Sequence, residues 1–309
     1  MLRETAIAFS LAAIVGIGAC GGGDSGGRPD AKVFGEVCTP GGTFDINGRA
    51  AVLANLNVHV NASGLVEVNT TAELLLALDV DQSGSDLGVT AELCVIKIPE
   101  IPLAGQDQPI IFDVPNETVA SVGTVSGTGT LSSPNQTCAT LQSDQFALTI
   151  GAILDPIESA LLPTADDNGD FSFCAPTVDT ACDLAIGVNC ACDQEGDGKA
   201  GATLRAMNVP AVDLDEVYVT MRTMFSLTGE VYSSDLIIGQ IDASIEQGIL
   251  GCHLASGNAC NPDQIGAVKM LNPVITQQPG NLSTFRGVRV PDGTTCADII
   301  DQRDTLFPR

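Results

Sequence analysis

Ala50-Ala51-Val52-Leu53-Ala54-Asn55-Leu56-Asn57-Val58-His59-Val60-Asn61-Ala62 carries apolar side chains at its even positions and Asn55, Asn57, His59 and Asn61 at odd ones. Successive side chains of a strand point to opposite faces, so this two-residue period predicts a strand with one dry and one wet face. After a turn at Ser63-Gly64 the parity continues. Val66, Val68, Ala72, Leu74, Leu76, Leu78 and Val80 lie on the dry side, against Glu67, Asn69, Thr71, Glu73 and Asp79 on the wet one. Two long antiparallel strands are the economical reading. The Asn and His stripe is a solvated face in the simplest account and the lining of a polar groove in the sharper one.

Towards the C-terminus the same period recurs. Strands are expected over 88–98, over the Pro-bounded edge segment 109–114, and over 118–131, 141–153, 203–209, 216–229 and 233–246. In 118–131 the odd positions include Gly123, Gly127 and Gly129, a face without side chains that suits a bend or the close approach of another backbone or a ligand. In 216–229, Val217, Val219, Met221, Thr223, Phe225 and Leu227 alternate with Tyr218, Thr220, Arg222 and Ser226. Helix starts are written at Asp155-Pro156, Asn261-Pro262 and Thr295-Cys296. The fold class is therefore mainly β: an antiparallel sandwich or wide barrel of about ten strands with a few short helices. Two Tyr and no Trp do not supply the aromatic girdles of a transmembrane barrel.

Towards the N-terminus, Arg3 precedes an apolar run from Ala6 to Ile17, the length of a signal-peptide core and shorter than the ~20 residues of a spanning helix. The run closes on Ile17-Gly18-Ala19-Cys20, which resembles the lipobox of bacterial lipoprotein precursors. The resemblance implies that residues 1–19 are a signal peptide and that Cys20 is diacylated as the first mature residue. It further implies a place in the bacterial cell envelope, with Gly21 rather than Asp favouring the outer membrane over the inner. Residues 20–36, rich in Gly, read as a flexible tether. The remaining 37–309 form a β domain, with 37–163 and 200–309 as candidate related halves joined by a Cys- and Asp-rich segment, 164–199.

Acidic residues outnumber basic ones 38 to 13, for a net charge of −25, which repels nucleic acid and anionic lipid. The membrane is therefore met through the lipid anchor only. Setting Cys20 aside from the 11 cysteines leaves an even number, as an oxidising compartment favours. Cys38, Cys94, Cys138, Cys174, Cys182, Cys190, Cys192, Cys252, Cys260 and Cys296 are the disulfide candidates. Spacing suggests Cys252 with Cys260 and Cys174 with Cys182, while Cys190 and Cys192 are too close to bond each other and reach different partners. A zinc site from Cys174, Cys182, Cys190, Cys192 and His253 is the weaker reading, since no two-residue-spaced Cys pair is present.

Two stretches follow the first half of a calcium loop: Asp193, Glu195 and Asp197 around Gly196 and Gly198, and, more weakly, Asp79, Asp81 and Ser83 before Gly84. Alternate oxygen ligands wrapped by a Gly turn suit a hard cation. The twelfth positions, Leu204 and Thr90, depart from the EF-hand pattern, leaving a dockerin-like or thrombospondin-repeat-like resemblance in which the last ligand comes from elsewhere. No cofactor is required by the sequence, and calcium is the one it suggests. No nucleophile-elbow, zincin or phosphate-loop motif occurs. The functional expectation is a non-catalytic binding or surface-interaction module, taking an apolar small molecule between its β layers or a protein partner. The alternative is an exported hydrolase using carboxylates between Asp166 and Asp197.

Overall fold

A computed structural model describes residues 38–308, apart from 40, 43, 63–65, 103–106, 175–181, 183–186, 210–212, 273 and 279–282. Cys20, the signal segment 1–19 and the tether 20–36 lie outside the described residues. In chain order the elements are β1 (Gly48–Ala62), β2 (Val66–Ser83), β3 (Asp86–Lys97), β4 (Ile111–Asp113), α1 (Asn116–Ser121), β5 (Thr124–Leu131), β6 (Ala139–Ser143), β7 (Phe146–Ile150) and β8 (Ala152–Ile153). They continue as β9 (Cys190–Ala191), β10 (Ala202–Met207), β11 (Leu214–Ser233), β12 (Leu236–Leu254), α2 (Pro262–Leu271), β13 (Val274–Gln277), β14 (Thr284–Arg289), α3 (Cys296–Asp301) and α4 (Arg303–Leu306).

The period-two stretch behaves as its pattern demands. β1 and β2 pair antiparallel from Gly48↔Val80 to Ala62↔Val66, and Val52, Ala54, Leu56, Val58 and Val60 are buried on one side. From this hairpin the ladder runs β1-β2-β3-β5-β6-β11 in one direction and β1-β14-β12 in the other, and β11 pairs with β12. The sheet thus closes on itself as an antiparallel barrel with aliphatic side chains inside. Closure leaves no long unpaired edge in this ring, which matters for a chain with so many β-branched residues. In the ring the strands from 37–163 form one continuous arc, β1-β2-β3-β5-β6, and those from 200–309 another, β11-β12-β14; the arcs meet at β1–β14 and at β6–β11.

The long strand β11 organises one wall. One edge pairs with β12 along most of its length, and the other takes β10, β7 and β6 in succession. β4 pairs only with β10 and is an edge strand, as its bounding prolines require. The glycines of β5 accommodate a side chain of the protein itself: a Cβ on Gly127 would stand 2.2 Å from the Phe146 ring, which stacks on Phe225 at 5.2 Å. Across the barrel, Gly229 and Gly239 face each other with the Phe285 ring against both. In this chain, poor in aromatics, glycine backbone comes close to two of the buried Phe rings, Phe146 and Phe285.

Several expectations are corrected. The outer face of the β1–β2 wall is not wet throughout: Ala51, Leu75 and Ala77 are buried there with Val290, Ile299 and Phe307. The C-terminal helices cover them, and Cys94–Cys296 fastens α3 to β3. Residues 118–121, expected as the start of a strand, belong to α1, so the strand begins only at Thr124. Asp155-Pro156 starts a turn rather than a helix; the Arg222 guanidinium binds the Ile157 and Ala160 carbonyl oxygens, at 2.8 Å each. The other two helix starts hold. Asn261 with Gln264, and Thr295 with Asp298, form reciprocal capping boxes at the heads of α2 and α3.

Five disulfides join the ten candidate cysteines: Cys38–Cys138, Cys94–Cys296, Cys174–Cys190, Cys182–Cys192 and Cys252–Cys260. The short loop at Cys252 is as anticipated, and Cys190 and Cys192 do reach different partners. Cys174 pairs with Cys190 rather than Cys182, because β9 lies beside the segment carrying Phe173 and brings Cys190 to it. These four thiols are consumed in disulfides and so are not zinc ligands. This content of disulfides fits an oxidising, extracytoplasmic compartment. Among the described residues no helix is long and apolar enough to cross a membrane.

Candidate functional site

The barrel is plugged at one end by Ile46, Leu87, Leu131, Ala139, Leu141 and Val231. The opposite end is covered by non-barrel pieces: α1 turns Val119 inward, and α2 turns Ile265 and Val268 inward. Between these ends lies an apolar cavity of about 130 Å³. Leu56, Val58 and Val60 of β1 face Val219, Met221 and Phe225 of β11 across it. No charged side chain lines it among the described residues; its polar side chains are those of Thr223, Gln247 and Asn272. Its size approaches the ~150 Å³ apolar void that stays dry and takes up benzene in another protein.

The pattern in 216–229 anticipated part of this lining. Gln247, Asn272 and the segment from Ile96 to Ile101 were not anticipated: Gln247 is a polar residue on the inward face within β12, Asn272 is the C-cap of α2, and 96–101 runs off the end of β3, where no period is expressed. The Asn55 to Asn61 stripe lies on the opposite face of β1 and is engaged across the hairpin. Thr71 donates to Asn57 at 2.8 Å, and the His59 ring meets Asn69 at 2.9 Å.

The second candidate is the acidic loop between β9 and β10. Asp193 is fully buried, and its carboxylate accepts the backbone N–H groups of Gly196 and Gly198 at 2.8 Å each and of Asp197 at 3.2 Å. This wrap requires φ of 74° at Gly196 and 83° at Gly198, the left-handed region that glycine adopts freely. Glu195 Oε1 accepts the Thr118 hydroxyl and the Thr203 N–H, both at 2.6 Å, tying the loop to α1 and β10. Its Oε2 is buried without a partner among the described residues. Burial holds the Glu195 carboxyl above its ordinary range against those two hydrogen bonds, and the Asp197 charge adds to the effect. Oxygens of Asp193, Glu195 and Asp197 lie within 4.8 Å of one another, close enough to reach one cation.

Lys199 bounds this loop. Its ammonium sits 3.5 Å from Asp197 and 2.5 Å from Glu216, over the Tyr218 ring at 5.3 Å, and Tyr218 donates to Glu216 at 3.0 Å. Burial opposes the Lys199 charge, but the bond to Glu216 and the neighbouring negative charges outweigh it and raise its pKa. Burial and the bond to Glu216 likewise raise that of Tyr218, so neither group is poised as a base near neutrality.

The weaker stretch lies in a regular strand rather than a loop. Asp79, Asp81 and Ser83 stand in the β2 ladder opposite Thr90, Gly88 and Asp86, and Asp79 instead pairs with Arg49 at 2.6 Å. Asp166, at the start of the stretch the hydrolase alternative needs, accepts the backbone N–H groups of Asn168 and Asp170 and so closes its own turn. Those bonds hold its carboxyl below the usual range. No protein-family model, curated protein or solved structure matches this chain.

Proposed function

We propose that this chain is a lipid-anchored, extracytoplasmic, non-catalytic binding module of the bacterial cell envelope that holds a small apolar molecule inside its barrel. The observation that carries the reading is the uncharged, aliphatic cavity within a closed wall. A domain stabilised by burial alone gains most from a filled core, since each void forfeits packing contacts. Here the void lies between α2 and the middle of β1 and β11. The barrel also has the reverse polarity of a membrane-spanning one: its aliphatic residues point inward while Glu67, Asn69, Thr71 and Asp79 are exposed outside. The anchor on Cys20 and the outer membrane rest on the lipobox resemblance. Incorporation of labelled palmitate into wild type, lost in Cys20→Ala, is the check on them.

The ligand reading is tested with toluene, a single ring of the size this cavity holds, by isothermal titration calorimetry. Saturable binding to wild type is expected, with loss in Ala72→Phe, where the new ring fills the cavity. Equal binding by both proteins would place toluene elsewhere, and no binding by wild type would end the reading.

At the rim, the Asp193, Glu195 and Asp197 cluster is proposed as a calcium site that pins the loop onto the barrel, with Glu195 Oε2 as the oxygen still free to ligate. Three carboxylates fall short of the six to eight oxygens calcium takes, so water completes the shell and affinity is weak, of order 0.1 to 1 mM. At about a hundredfold excess over that constant the stability gain is about 2.7 kcal/mol. Thermal melts in calcium and in chelator should separate for wild type and coincide for Asp197→Ala. Equal separation in both would move the site elsewhere.

A further inference from the structure

We propose that α1 is a lid on the cavity, latched by Gln194 and Glu195 and hinged at Gly123, and that a small apolar molecule enters and leaves when it opens. This rests on the binding-module reading above and names how its cavity is reached.

A ligand inside a closed ring of strands passes one of its ends. One end is filled by the packed cluster around Leu87 and Val231, and the other is covered by α1 and α2. The two covers are fastened differently. The head of α2 follows directly on the Cys252–Cys260 disulfide and carries its capping box, and Ile265 and Val268 both enter the core. Lys269 and Asn272 bind the Ala165 and Gln247 carbonyl oxygens at 2.6 and 3.2 Å. By contrast α1 has six residues, no side-chain cap and one buried apolar side chain, Val119. A helix this short is not stable by itself, so its place is set by what holds it.

The holding bonds come from neighbouring residues of the acidic loop. Gln194 Nε2 donates to the Ser121 carbonyl at 2.8 Å, and the Thr118 hydroxyl donates to Glu195 Oε1 at 2.6 Å. Thr118 also reaches the Thr203 carbonyl, at 3.1 Å. Beyond the last turn, Val122 and Gly123 line the cavity, and Gly123 is itself exposed, so the cavity reaches towards solvent beside α1. The lining residues Ile96, Ile98, Phe112 and Val125 are half-buried, whereas Leu56, Val58 and Val60 on β1 are buried. Gly123 has a φ of 70° and no atom within 4 Å of where a Cβ would stand, which leaves its backbone free to turn. Swinging α1 outward breaks the latch bonds and uncovers Val119 but no strand pairing, because α1 belongs to no ladder.

A latch of this kind sets rates rather than affinity. Loosening it raises the small open population and with it entry and exit alike, while the closed state that holds the ligand is unchanged. Thr118→Val keeps the side-chain shape and removes the donor. Line shapes of 13C-methyl toluene on the full chain should show both rates about tenfold faster, the worth of one bond to a charged acceptor, with Kd within about twofold. In the same variant without ligand, hydrogen exchange at the Val119 and Val122 amides should quicken about tenfold and that at Ile265 of α2 should not. Lys269→Met, which frees α2 instead, should leave the toluene rates as in wild type. Should Thr118→Val fold poorly, Gln194→Leu removes the other latch bond and is read in the same way. Unchanged rates in the latch variant, a loss of affinity without faster entry, or equal acceleration by Lys269→Met would each overturn the lid while leaving the binding module standing. Failure of wild type to bind toluene would remove both readings together.

Discussion

At Glu195 two demands oppose each other. The side chain is needed to accept from Thr118 and Thr203, yet its second oxygen is buried without a donor and stands near two other carboxylates. The folded pKa is therefore raised from 4.5 by burial first and by Asp197 in addition. Below the unfolded value the carboxyl is protonated in folded and unfolded chains alike. As the pH climbs from there through the raised folded value, the unfolded chain ionises first, so the folded state loses stability across that window. Glu195→Gln keeps the accepting oxygen and turns the other into a donor facing Asp193 and Asp197. In chelator the variant should be more stable than wild type above the window by about 1 to 3 kcal/mol. The difference should vanish below pH 4, as read from urea melts across pH. In calcium the order should reverse, because the ligand oxygen is gone. A wild type that gained on the variant with rising pH in chelator would mean that Glu195 is already paired.

Among the elements, α3 does work that its six residues do not advertise. Ile299 is fully buried in a small cluster with Ala51, Leu75, Ala77 and Phe307 on the outside of the β1–β2 wall. That cluster is separate from the barrel interior, so a cavity opened in it is not refilled from the main core. Ile299→Ala should cost about 2 to 5 kcal/mol, towards the upper part because the neighbours include small Ala side chains that cannot move inward. Chemical denaturation reads this directly, and a loss under about 1 kcal/mol would mean that α3 is peripheral. The two-sided burial also explains what the sequence disclosed and what it hid. The inward parity of β1 and β2 was legible because every second residue is aliphatic. The outward Leu75 and Ala77 belonged to the same run, but the helix that covers them lies more than 200 residues away. Their burial was therefore invisible to any local period. β13 and β14 escaped for a related reason: the inward side chains of β14 are Phe285 and Gly287, which carry no aliphatic alternation, yet this strand joins β1 to β12 and closes the ring. The acidic loop was legible down to its three carboxylates, since Asp193, Glu195 and Asp197 lie next to one another in the chain. What spacing did not reveal is that backbone amides already occupy Asp193.

For the whole molecule, the disulfides divide into two kinds with different consequences. Cys38–Cys138 and Cys94–Cys296 span 100 and 202 residues and tie together parts of the chain that meet only when the barrel is closed. Cys174–Cys190 and Cys182–Cys192 span 16 and 10 residues and fix the rim segment next to the acidic loop. In the chain-entropy account, closing a loop of about 100 residues removes about 4.7 kcal/mol of unfolded-state entropy, against about 3 kcal/mol for one of about 15. The larger contrast is in where each is felt. Replacing both long-range pairs by Ser should lower the global melt of the barrel and weaken toluene binding with it, because the wall that encloses the cavity loosens as one cooperative unit. Replacing both rim pairs should leave the β ladder and the cavity largely in place while making residues 164–199 a protease target and reducing the calcium response. Limited proteolysis with mass mapping, run beside circular dichroism melts, separates the two outcomes. If the rim variant lost the barrel's cooperative melt as readily as the long-range one, the rim segment would belong to the barrel's folding unit. The acidic loop would then stabilise the core itself rather than a separately ordered edge.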